Sequence, residues 1–153
     1  DGGADIQMIG RRLLVMASED VGMAYPSAIS IVTACVQAAQ MVGMPEAVIN
    51  LAQAVVLMAA APKSNASYMA FEEAMHDIKT KKIDDVPNHL KDTHYKGAAD
   101  LGYGGYKYPH AYGGYVKQQY LPDNLYKQGV KYYKPTENGS EAAFKKYLES
   151  LEK

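Results

Sequence analysis

Residues 21–62 read VGMAYPSAISIVTACVQAAQMVGMPEAVINLAQAVVLMAAAP, and Glu46 is the single charged residue among them. Pro26 sits at a first-turn position, and the Ala-rich run after it continues to Val42 until Gly43 stops it. Pro45 opens a second run to about Ala60, closed by Pro62, which disfavours the helical conformation in the residue before it. The pattern predicts two helices, apolar on every side, joined through Gly43–Pro45. Such a pair is either a membrane hairpin or buried in protein. Each segment has about 16 to 17 residues, fewer than the ~20 that a bilayer core needs. Gln37, Gln40, Asn50 and Gln53 also interrupt the apolar surface, and no Lys or Arg flanks it. We read the pair as buried.

The neighbouring sequence extends the helical reading. Upstream, Asp5 is expected to cap a helix with Ile6, Ile9, Leu13 and Met16 on one side and Arg11 and Arg12 on the other, ending at Val21-Gly22. Downstream, Ser64 to about Lys79 carries Ala66, Met69, Phe71, Ala74, Met75 and Ile78 at helical spacing. The period then fades, apart from a short helical piece expected near Asn88–Leu101. It returns where Ser140 is expected to cap a last helix carrying Phe144, Tyr147, Leu148 and Leu151. The expected fold is all-α, one helical domain over 1–153. Its parts are apolar helices (5–80), a Tyr-rich irregular segment (81–139) and a terminal helix (140–152).

Composition agrees with a globular chain: 153 residues, 48% apolar and 22% charged. The net charge of −1 gives no general attraction to nucleic acid or anionic membrane. A lone Cys35 excludes a disulfide framework and a Cys-based zinc site, and its apolar helical setting marks an inert core thiol. No basic-then-apolar leader opens the chain, and Asp1-Gly2-Gly3-Ala4 is expected to be the cut edge of a longer protein. The remaining helices are too few to cover two all-apolar ones. Part of that surface, with Val55 and Leu57 as candidates, is therefore expected to bury against another copy of the chain. The alternative is a monomer whose Tyr-rich segment wraps the pair.

That segment is unusual. Of 13 tyrosines, 10 lie between Tyr95 and Tyr133, and Tyr103-Gly-Gly-Tyr106 recurs as Tyr112-Gly-Gly-Tyr115. Residues 91–134 hold seven lysines against Asp92, Asp100 and Asp123. Aromatics interleaved with lysines suit single-stranded nucleic acid, with rings stacking on bases and ammonium groups tracking phosphates. Tyr106, Lys107, Tyr108, Tyr115 and Lys117 are the candidates. The competing expectation is that the rings pack on the helices and hold an irregular segment in place.

Catalytic patterns are poor. Pro62-Lys63-Ser64 lacks the preceding glycines and strand of a phosphate loop, and Lys107 stands where a dinucleotide fingerprint beginning at Gly102-x-Gly104 needs its third glycine. His89, Asp92 and His94 could ligate a metal only if they converged, and their spacing does not align both imidazoles on one helical face. No carboxylate pair sits in an apolar setting. The chain is read as non-catalytic, with no cofactor and no metal of its own.

The segments nevertheless form a recognisable series. Ala17-Ser-Glu-Asp-Val-Gly22, Gly43-Met-Pro-Glu-Ala47 and Ala61-Pro-Lys-Ser-Asn-Ala66 are followed by Val86-Pro-Asn-His-Leu-Lys-Asp-Thr-His-Tyr-Lys-Gly97. Tyr106-Lys-Tyr-Pro-His110, Gln118-Gln-Tyr-Leu-Pro122 and Tyr132-Tyr-Lys-Pro-Thr136 complete it. From about Arg11 to Gly139 this resembles the C-terminal part of the RarA/MgsA family of AAA+ ATPases, bacterial relatives of the Werner-helicase-interacting protein. It departs at Tyr25, where the family is expected to have a capping Asp, and at Ala111, where Asp is usual after Pro-His.

The resemblance implies a helical domain related to clamp-loader collars that assembles four subunits. The family's ATPase module, with its ATP and magnesium, would lie N-terminal to it, and none of that module's nucleotide-site residues has a matching position here. The whole protein would be a cytoplasmic, nucleoid-associated, DNA-dependent ATPase. It would act in replication, recombination and repair at stalled forks, near single-stranded DNA-binding protein. On either route, calorimetry with ATP is expected to give no micromolar site on this chain, and a measured site would contradict the reading.

Overall fold

The computed structural model describes residue 3, residues 5–94 and residues 96–152. Among these there are six α-helices and no strand: α1 Ile6–Met16, α2 Ala28–Val42, α3 Ala47–Ala60, α4 Ala66–Thr80, α5 Asp123–Lys127 and α6 Glu141–Leu151. The all-α expectation holds, and α2, α3 and α4 start within about two residues of where Pro and Ser signals put them. The chain falls into two compact units, residues 1–72 with 132–153 and residues 73–131.

In the first unit α2 packs on α3, and α1 lies against both. The core is built of small side chains: Ala17, Ala28, Ala39, Ala47 and Ala54 are fully or almost fully buried, interleaved with Leu13, Val32, Val36, Leu51 and Met58. Cys35 is a buried free thiol among them. Small residues let helix axes approach closely, and Gly10 of α1 takes this furthest: a Cβ there would lie 2.5 Å from Val36 Cγ1 on α2. α1 then widens into a π-helical turn over Ala17–Val21, with Gly22 N–H reaching the Ala17 carbonyl. This turn puts Ala17 and Val21 into the core. At the departure noted above, the Tyr25 carbonyl accepts the first amide of α2, Ala28 N–H, at 3.0 Å. A backbone group thus caps the helix, and the Tyr25 ring packs against the core.

Two expected side-chain caps are absent. Asp5 uses its carbonyl, which accepts Ile9 N–H at 3.0 Å. Ser140 is itself helical (φ −66°, ψ −20°), and its amide donates to the Ala24 carbonyl at 2.8 Å. The reason is the way residues 132–141 return to the first unit. Asn138 Nδ2 donates to the Lys63 carbonyl at 2.9 Å. Gly139 (φ +52°) runs so close to Ala24 that a Cβ would stand 2.2 Å from its carbonyl oxygen.

Glu141, with no exposed surface, anchors this return. Tyr133 Oη donates to Glu141 Oε1 at 2.7 Å, Thr136 N–H and Oγ1 donate to Oε2 at 3.1 and 2.5 Å, and the Ser64 hydroxyl is a further partner. Burial pushes the Glu141 carboxyl up. The hydrogen bonds from Ser64, Thr136 and Tyr133 outweigh that and hold it below the ordinary carboxylate range. Burial and the adjoining carboxylate push the Tyr133 hydroxyl well above its usual value.

The second unit is held differently. Ala98 and Leu125 are its fully buried apolar residues among those described. Polar side chains stitch the rest. Asp84 and Asn124 exchange two side-chain-to-backbone bonds at 3.2 and 3.1 Å, Asn124 Nδ2 reaches the Lys82 carbonyl, and His89 Nε2 donates to the Gln119 carbonyl at 2.7 Å. The helix expected near Asn88–Leu101 is a single 3-10 turn, Asn88–Leu90. Gly97 and Gly102, both at positive φ, then turn the backbone instead of continuing it. Conversely α5, one and a half turns after Pro122, was too short to show a period.

Two outcomes follow for stability. Gly10→Ala is expected to lower stability by about 1–3 kcal/mol by overpacking, although Ala favours helix. Val36→Ala in the same chain should cost less than the sum of the single effects, as measured by urea unfolding. Glu141→Gln should cost about 2 kcal/mol at neutral pH, because hydrogen bonds to a charged acceptor are lost. The depressed folded-state value fixes the sign. The carboxylate's contribution is complete above the unfolded value of about 4.3 and disappears as pH falls through the folded one, so parent and variant should converge in acid.

Candidate functional site

α3 contains no charged residue, and its two faces differ in side-chain size. The buried stripe is Ala47, Leu51, Ala54 and Met58. The outer face carries Val48, Ile49, Val55 and Val56, with Val55 51% and Val56 66% exposed. Met41, Val42 and Met44, just before α3, are exposed too. Val55, one of the two interface candidates, is exposed on this apolar face. Leu57, the other candidate, is half-buried against the core, so a charge there would disturb folding as well. Val48, Ile49 and Val56 were not singled out, since a helix apolar all round gives no sign of which side faces in.

A second apolar strip lies in the same unit, where Leu14, Val15, Ile29, Tyr68 and Phe71 of α1, α2 and α4 line a shallow groove. Val15, Ile29 and Phe71 are exposed. No helix among the described residues is long and apolar enough to cross a membrane.

In the second unit six of the seven described tyrosines are exposed, and Tyr103 is half-buried beside Lys91. Tyr106, Tyr108, Tyr112, Tyr115 and Tyr120 are all exposed, Tyr108 by 61%. The physical reason is that the segment has glycines on both sides of its rings and almost no apolar partner of its own. Tyr95 lies outside the described residues. Tyr133, in the first unit, is half-buried and donates to Glu141. The loop bearing these rings is closed by Gln118, whose amide brackets Lys107: Lys107 N–H donates to Oε1 at 3.1 Å, and Nε2 donates to the Lys107 carbonyl at 2.8 Å. Lys107 and Lys117 are both exposed beside this clasp.

Lys91, counted among the segment's cations, is engaged elsewhere. Its ammonium lies 2.6 Å from Asp85 and 4.9 Å from the centroid of Tyr103. The Asp85 hydrogen bond raises Lys91 above its usual value, and the same bond lowers Asp85. His94 Nδ1 donates to Asp92 Oδ1 at 2.6 Å, and hydrogen bonds from the His94 backbone and ring lower the Asp92 carboxyl. His89 donates to a carbonyl and so does not join them. No group of three His, Cys, Asp or Glu among the described residues could hold a metal.

Known proteins place this arrangement. The family described as MgsA AAA+ ATPase C terminal matches residues 1–152. The chain belongs to this family. It is 51% identical over 152 residues to replication-associated recombination protein A of Bacillus subtilis, covering 97% of the chain and 36% of that protein. It is 39% identical over 144 residues to the Escherichia coli protein of the same name, covering 91% and 31%. It is 35% identical over 139 residues to the ATPase WRNIP1 of Dictyostelium discoideum, covering 89% and 16%. As a member of the MgsA C-terminal family, the chain spans about a third or less of the length of these relatives.

Proposed function

We propose that this chain is the assembly module of a replication-associated recombination ATPase, joining four copies so that the ATPase modules work together at stalled replication forks. The chain itself performs no catalysis, and ATP and magnesium belong to the N-terminal module. The relatives' names supply the replication and recombination setting. The observation that carries the assembly role is the outer face of α3. Val48, Ala52, Val55 and Ala59 follow the 4-3-4 spacing of a helix–helix seam, flanked by Ile49 and Val56. With no charge anywhere on α3, the fitting occupant is an equally uncharged helix, and a second copy supplies one by two-fold symmetry.

A closed tetramer with two-fold axes needs two different self-complementary patches. We assign these to the α3 face and to the groove at Val15 and Phe71, both of which leave apolar side chains exposed. Light scattering should therefore find four chains in the parent. Val55→Asp with Val56→Asp, or Val15→Asp with Phe71→Asp, should each leave dimers, and all four changes together monomers. These residues are exposed within one protomer, so helicity by circular dichroism should persist. A parent that is monomeric at micromolar concentration would overturn the reading.

A further inference from the structure

From Leu101 to Pro122 the chain has six tyrosines, two lysines, one histidine and no acidic residue. That is a local excess of cations within a slightly acidic protein. The structure adds three facts that the composition lacks. The rings of Tyr106, Tyr108, Tyr112, Tyr115 and Tyr120 are open to solvent. The Gln118 clasp joins the two ends of the loop, so Lys107 and Lys117 flank one closed base, and neither pairs with a carboxylate among the described residues. The loop also has internal order: Gly114 N–H donates to the Pro109 carbonyl at 2.9 Å, Gly113 and Gly114 turn it at positive φ, and the Tyr108 and His110 rings lie 5.1 Å apart.

We infer that this loop is a binding surface for single-stranded nucleic acid. Tyr108, Tyr112 and Tyr115 offer faces on which successive bases stack, and Lys107 and Lys117 hold phosphates at the base of the loop. Each exposed phenol ring is a flat face at low conformational cost, since Tyr has two side-chain torsions and the backbone is already pinned. A duplex would not use these rings, because its bases present no free faces. The inference goes beyond the assembly role and stands without it. Repetition of the loop in an oligomer would only add avidity for long strands.

The test is fluorescence anisotropy of the 153-residue chain with a labelled thymidine strand of about 30 nucleotides at about 50 mM salt, where phosphate contacts count most. The strand should bind, and polyglutamate of matching charge should not compete. Tyr108→Ala with Tyr112→Ala should weaken binding about tenfold or more, whereas Tyr108→Phe with Tyr112→Phe should keep it, since stacking needs the ring and not the hydroxyl. Lys107→Ala with Lys117→Ala should reduce the log–log salt slope by about 1.4. Melting temperatures should not move in any of these variants. The proposal fails if the parent does not bind the strand, as it would not if the loop served a protein partner. It fails equally if polyglutamate binds as well, if the Phe pair loses as much as the Ala pair, or if the Ala pair melts earlier.

Discussion

Small side chains at the α1–α2–α3 contact govern the character of this protein. Alanine in the interface brings helices close but buries little area for each residue. The bulkier Val and Ile side chains that would ordinarily fill a core are left on the other side of α3. At ~25 cal/mol per Å² of apolar surface removed from water, any partner covering that outer face would be stabilised in proportion to the area it hides. Close packing inside the unit and an open apolar face outside it are two results of one distribution of side-chain sizes.

The two units solve the problem of order by different means. The first has an apolar core and one buried carboxylate satisfied by Ser64, Thr136 and Tyr133. The second has two buried apolar residues among those described and relies on side-chain amides. Asn124 ties residues 82–84 to α5, and Gln118 closes the tyrosine loop. A polar framework of this kind fixes backbone without consuming aromatic surface. The rings of Tyr106, Tyr108, Tyr112, Tyr115, Tyr120 and Tyr126 therefore stay outside.

The helices of the first unit were legible because Gly and Pro punctuate a nearly uncharged run, and those signals act locally. The orientation of α3 was not legible, since both its faces are apolar and only tertiary packing separates Leu57 from Val56. The π-helical turn at Ala17–Val21 was equally hidden, as it depends on which residues the core accepts. Glu141 gave no sequence signal either: an acidic residue in the first turn of a helix is ordinary, and nothing local says that Ser64, 77 positions earlier, will meet it. For the tyrosine loop, composition suggested the chemistry, but the clasp by Gln118 is an amide-to-backbone pairing that no residue pattern announces. The family itself was readable from the order of short segments.

The return of residues 132–141 also imposes a schedule on synthesis. The first unit is discontinuous, with residues 73–131 standing between its two parts. When Ser64 leaves the ribosome, Glu141 is still 77 residues away. At about 5–20 residues per second the nascent helices wait roughly 4 to 15 s for their closing segment. During that interval the apolar face of α3 is already present on every growing chain. If α3 joins copies as proposed, neighbouring nascent chains on a polysome would meet through it before either is complete, which would favour partners made from the same message.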